Sequence, residues 1–132
     1  MAELSDYSLI SADTPLISNL NMIENIALIH EVHNHTPTNI AQEEAKEYLN
    51  KIKKLDIGLK RTHQCNEVEI FYIMIIRALM TSEKTIVILH PLAILQNIEF
   101  LAISMKNLSI LNDNKNIIIL ENDINRFHYE GM

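Results

Sequence analysis

The sequence predicts an α/β fold: a small three-stranded parallel sheet with a helical subdomain, in a single domain over residues 1–132. Three observations predict it. Two runs, TIVIL at Thr85–Leu89 and NIIIL at Asn116–Leu120, have strand length and β-branched composition, and read as buried strands. Long stretches with apolar residues at helical spacing separate these runs from each other and from a shorter apolar stretch at Tyr7–Ile10. The connections formed in this way are long enough for crossovers between parallel strands.

Each element has its own signal. Ser11 to Leu20 contains Pro15 and reads as a loop. Asn21 opens a helix, with Glu24 at the reciprocal capping-box position and Met22, Ile23, Ile26 and Ile29 on one face. The stretch from His33 to Pro37 breaks it. A second helix carries Ile40, Ala41, Ala45, Tyr48, Leu49 and Ile52 inward and Gln42 to Glu44, Lys46, Glu47 and Lys51 outward, and fades between Leu55 and Gly58. Residues 21–65 are the expected helical subdomain. Asn66 begins a third helix, again with a carboxylate three positions later at Glu69. This helix is apolar on nearly every side except at Arg77, so it is expected to be buried. Thr85–Leu89 should be the central strand. Pro91 starts a turn, and Ile94, Ile98, Leu101, Ala102, Met105 and Leu108 form one long helical stripe. The tail from Glu121 is polar.

Composition excludes several function classes. The 132 residues carry a formal net charge of −6, which argues against nucleic acid as a main partner. The densest basic cluster, Lys51 to Lys54 with Lys60 and Arg61, reads as a solvated face. Cys65 is the only cysteine, so no intrachain disulfide forms and a reducing compartment fits best. No apolar run approaches the ~20 residues of a membrane span, and the N-terminus lacks the pattern of a signal peptide. A cytoplasmic protein is expected, with a peripheral place at the inner face of the membrane as an option. There are two glycines, Gly58 and Gly131, and neither lies in a phosphate-cradling loop.

The order of elements resembles the later two-thirds of an ATP-binding cassette (ABC) ATPase, over about Ser8 to Asp123. In PLISNLNMIENIAL, the residues Leu16, Ile17, Leu20 and Glu24 to Leu28 match the family segment that follows the Q-loop. AQEEAKEYLNKI resembles the family's helical subdomain, Arg77-Ala78-Leu79 its A-R-A-L, and Pro91 the proline of D-E-P-T. The chemistry-bearing positions depart from the pattern. The Q-loop glutamine falls on Ala12, and the signature LSGGE on Cys65 to Glu69. The Walker B aspartate and its neighbouring glutamate fall on Leu89 and His90, the D-loop aspartate on Gln96 and the switch histidine on Asn122. The Walker A strand and loop that precede the Tyr7 strand in the family are expected to be absent from this chain. The resemblance therefore implies the scaffold of a nucleotide-binding domain without ATP hydrolysis, with no catalytic residue, no metal and no cofactor.

The implied role is an interaction or regulatory module. In the family, the groove beside the Q-loop receives a short helix from a membrane permease. Leu16, Ile17 and Leu20 are the candidate contacts here, with a permease or a sister ATPase as partner. Ile117, Ile118 and Ile119 form a second candidate surface, an open strand edge without proline or charge, which suits a homodimer. The alternatives are a repurposed enzyme using His90 and Glu67 at the strand ends, or a relic of an ABC ATPase without function. His30, His33 and His35 have close spacing but straddle a helix end, and read as loop histidines before metal ligands. Cys65 reads as an inert thiol.

Overall fold

The computed structural model describes residues 7–95, 97–112 and 114–121. Strands β1 (Tyr7–Ile10), β2 (Thr85–Leu89) and β3 (Asn116–Leu120) form one parallel sheet in the order β1-β2-β3. Helices α1 (Met22–Asn34), α2 (Thr38–Lys51) and α3 (Glu67–Leu79) lie between β1 and β2 in the chain, and α4 (Ile98–Leu111) makes the crossover from β2 to β3. The α/β class, the parallel pairing and the central position of β2 are those the sequence predicts.

Capping chemistry starts the first and third helices. The Asn21 side chain accepts from the Glu24 N–H at 2.8 Å, and the Glu24 carboxylate accepts from the Asn21 N–H at 2.9 Å. Asn66 and Glu69 repeat the arrangement at 2.9 and 3.0 Å. Two further donors of the first turn of α1, the Met22 and Ile23 N–H groups, reach the Lys60 and Gly58 carbonyls at 2.9 and 3.0 Å. These bonds satisfy groups that a helix leaves open at its start, and they dock the loop after α2 onto α1. Asn66→Ala is expected to lower stability by about 1 kcal/mol. An unchanged denaturant midpoint would show that this cap does not start α3.

The core is continuous from helices to sheet. Phe71 to Ile76 of α3 are buried without interruption, as expected from a helix apolar on nearly all sides. Around it pack α1, α4 and β1. Ile10, Ile86 and Ile88 from the sheet join Ile26, Leu49, Ile57, Leu101 and Leu108 in the same cluster. Pro37 precedes α2, and the left-handed His35 (φ 54°) ends α1.

Three expectations need correction. The stripe from Ile94 is not one helix: Pro91–Ala93 is a single 3-10 turn, and α4 begins after Asn97, whose side chain accepts from the Glu99 N–H at 2.7 Å. β2 is not buried on both faces, because Ile86 and Ile88 are enclosed while Thr85, Val87 and Leu89 are half-buried. β3 is not a buried strand. Ile118, Ile119 and Leu120 are 45, 37 and 50% exposed, and only Ile117 is half-buried. The pairing register explains most of the pattern, though not the exposure of Ile119, which shares the face of Ile88 at the sheet edge. Ser8, Ile10, Ile86 and Ile88 point to one face, and Leu9, Val87, Leu89, Ile118 and Leu120 to the other. The described helices cover only the first of these faces, so uniformly apolar composition coexists with one-sided burial.

Candidate functional site

The loop between β1 and α1 is shaped by two side chains from other elements. Asn25, 1% exposed on α1, accepts from the Ile17 N–H at 2.7 Å. Its amide nitrogen donates to the carbonyls of Ile17 (3.1 Å), Asn21 (3.0 Å) and, at longer range, Leu20 (3.4 Å). Arg77, from α3, donates to the Thr14 carbonyl at 2.7 Å and the Pro15 carbonyl at 3.3 Å. Ser11 adds a local turn, its hydroxyl accepting from the Asp13 N–H at 2.9 Å. The loop is thus tied at both ends to helices that belong to the core.

Beside this loop lies an open cavity of about 390 Å³. Leu9, Pro15 and Met74 give it apolar walls, and Ser8, Arg77 and Thr81 bring polar groups. Its size is in the range of ligand pockets and of seats for a single side chain or helix end. Burial holds the Arg77 guanidinium somewhat below its ordinary pKa. Its described partners are carbonyls only, so no carboxylate among the described residues neutralises it.

The predicted contact residues fall into two separate places. In the loop, Ile17 is 41% exposed and Leu20 half-buried, whereas Leu16, at 7%, turns inward and supports the loop from the core. Ile117, Ile118 and Ile119 lie on β3, separated from β1 by the full width of β2. Read from the sequence, Asn25 and Arg77 are matches to the family pattern and are given no part in organising the first place. Asn25 lies one turn from Met22 and Ile29 on the apolar stripe of α1. A polar residue in that position was the available signal.

At the carboxyl ends of β2 and β3 a different pair forms. His90 sits in the left-handed region (φ 48°) directly after β2. Its Nδ1 lies 3.0 Å from the Glu121 carboxylate, whose side chain is 2% exposed and also accepts from the Leu92 N–H at 3.2 Å. The described partner of His90 is therefore Glu121 rather than Glu67 or Glu69, and Glu69 is engaged in the α3 cap. Gln96 and Asn122 lie outside the described residues. The three clustered histidines serve different places. His30 lies between Glu44 (2.7 Å) and Asn34 (2.6 Å), His33 lines the cavity and His35 ends α1. No group of three or more His, Cys, Asp or Glu side chains able to hold a metal occurs among the described residues. Burial first, and Glu69 second, push the Cys65 thiol above its ordinary pKa against the opposing pull of Lys60, which disfavours the reactive thiolate.

No protein-family model matches the chain, and no curated protein matches its sequence. Solved structures do match. The bacterial ABC transporter cassette MJ0796, in its dimeric structure, aligns with 91% of this chain at a TM-score of 0.67 and 21% identity. The fold matches that of part of an ABC transporter cassette. A dimeric post-hydrolysis state of the same ATP-binding cassette, bound to ADP and Pi, gives a TM-score of 0.66 over 94% of the chain at 20% identity. The chain spans about half the length of these cassettes, 53% and 56% respectively. Among the described residues, no helix is long and apolar enough to cross a membrane.

Proposed function

We propose that this chain is a catalytically inactive cassette-like domain that serves as an interaction or regulatory module at the inner face of a membrane, with a permease or a sister ATPase subunit as partner. The observation that carries the reading is the groove beside the 11–20 loop. Asn25 and Arg77 hold its wall, Ile17 projects at 41% exposure, and a cavity of about 390 Å³ opens next to it. A short helix with an apolar residue for the cavity and a carboxylate for Arg77 fits this arrangement.

Inactivity is argued from the residues at the strand ends. Phosphoryl transfer needs a carboxylate on Mg²⁺ and donors around the phosphates. Leu89 cannot bind a metal, and the nearby Glu121 carboxylate is turned to His90 and the Leu92 N–H. Glu67 and Val68 stand where the resemblance places small phosphate-facing residues, and Glu67 would repel a phosphate. Calorimetry with ATP and Mg²⁺ is expected to give a dissociation constant no tighter than roughly millimolar. Micromolar binding, or turnover, would end the reading of inactivity. In parallel, the wild-type chain should be retained by membrane fractions and Ile17→Glu should not; equal retention would remove the groove from the proposal. Self-association through β3 completes the reading.

A further inference from the structure

We infer that the cavity beside the 11–20 loop binds a short apolar peptide with free termini, roughly two or three residues long. Its carboxylate meets Arg77 and its ammonium group meets Glu83. This rests on the docking role proposed above and adds its regulation, because a filled cavity has no room for a partner's side chain. The charges supply the argument. The ion pairs among the described residues are His30 with Glu44, Lys46 with Glu43 and His90 with Glu121. Arg77 and Glu83 both line the cavity and belong to none of these pairs. Arg77 spends two N–H groups on the Thr14 and Pro15 carbonyls and keeps others for a carboxylate. Lys115 acts on Glu83 electrostatically, but its ammonium group is bonded to the Thr81 and Glu83 carbonyls.

The two charges stand at opposite ends of β1. Three successive residues of that strand, Tyr7, Ser8 and Leu9, line the cavity, which therefore runs along it. Glu83 comes just before Thr85, the partner of Tyr7, so it stands at the start of β1. Thr14 and Pro15, whose carbonyls fix the Arg77 guanidinium, follow the end of β1 at Ile10. A strand of this length covers roughly 10 Å, and a span of that order separates the two groups. A free amino acid carries its ammonium and carboxylate on one carbon and cannot reach both. The ends of an extended di- or tripeptide can, at about 3.3 Å per residue.

Between these ends the walls suit a peptide. Thr81 Oγ1 donates to the Ala78 carbonyl at 2.8 Å, which commits its proton. The Ser8 hydroxyl, bonded to Thr81 Oγ1, is then the donor of that bond, and its oxygen is left as an acceptor for a peptide N–H. Leu9, Ile29 and Met74 supply apolar surface for the side chains. The volume of about 390 Å³ falls at the lower end of the range for small-ligand sites, as a short peptide requires.

Titration of the full chain with the tripeptide Ala-Leu-Ala, followed by calorimetry and by amide NMR shifts, tests this. The unmodified tripeptide should saturate the protein below roughly 1 mM. Acetylating its N-terminus or amidating its carboxylate should each weaken binding at least about tenfold, as the loss of a charge-assisted contact does. Free leucine should bind at least about tenfold more weakly as well, because it cannot reach both charges. In Glu83→Gln the acetylated and unmodified peptides should bind alike, and this variant leaves the Arg77 ties to the loop in place. No saturable binding, or equal binding of the free, blocked and single-residue ligands, overturns the peptide site. Amide shifts that spare Tyr7 to Leu9 and Arg77 place the ligand elsewhere and overturn it too. Absent peptide binding with retention by membrane fractions intact overturns the peptide alone. Peptide binding without retention supports the peptide site and removes the docking role.

Discussion

Replacing Asn25 with alanine is expected to cost about 2–3 kcal/mol of folding stability, as the loss of a buried, fully engaged amide does. The side chain is 1% exposed and satisfies the Ile17 N–H together with the Ile17 and Asn21 carbonyls. Alanine leaves the buried Ile17 N–H without its described partner, strips the side-chain donor from the Ile17 and Asn21 carbonyls, which keep the Leu20 and Asn25 N–H groups, and opens a small void. Aspartate, equal in size, should rescue nothing, because it would place a carboxylate oxygen where the amide nitrogen now meets carbonyls. The effect should be visible twice: in the denaturant midpoint, and in faster amide exchange over residues 14–20, since the loop loses one of its two ties. Retention by membrane fractions should fall with it. An Asn25→Ala protein of wild-type stability would mean that the loop is held by something other than this amide.

Gly58→Ala should also destabilise, by about 1–3 kcal/mol, the usual range for overpacking. The backbone there is ordinary right-handed helical (φ −57°), so conformation does not demand glycine. Space does. A Cβ would lie 2.6 and 2.9 Å from Ile23 Cδ1 and Cγ1 and 3.2 Å from the Leu55 carbonyl oxygen. Retreat is hindered because the Gly58 carbonyl accepts from the Ile23 N–H at 3.0 Å and its own N–H donates to Leu55. Alanine would gain about 0.4–1 kcal/mol from a stiffer unfolded chain, which the clash exceeds. Ile23→Val removes Cδ1 and should relieve part of the penalty, so the double variant should lose less than the sum of the single losses. A neutral or stabilising Gly58→Ala would show that the loop after α2 does not pack on α1 at this distance.

Local signals in the sequence were sufficient for the elements. Both capping boxes lie within three residues, so Asn21 with Glu24 and Asn66 with Glu69 are legible without any tertiary information. The same holds for the buried α3 and for the central β2, whose apolar run is bracketed by long crossovers. The organisers of the site act over distances that periodicity does not encode. Arg77 binds carbonyls 62 and 63 residues away, and His90 meets a carboxylate 31 residues on. From the sequence, Arg77 was a framework residue and His90 a partner for Glu67. Leu16, Ile17 and Leu20 read as equivalent, and only the packing of the loop separates Leu16, turned into the core, from Ile17 at the surface.

By itself, the sequence determined which segments are helices and strands, how α1 and α3 begin, and that the strands run parallel, because capping and apolar period are interactions between near neighbours. Tertiary structure alone decided which apolar residues are buried. TIVIL and NIIIL are nearly alike as strings, yet one is central and half-enclosed while the other is an exposed edge. Burial depends on what covers a strand, and a strand's own composition records only that it could be covered. Here the described helices occupy one face of the sheet and leave the other face and the β3 edge open.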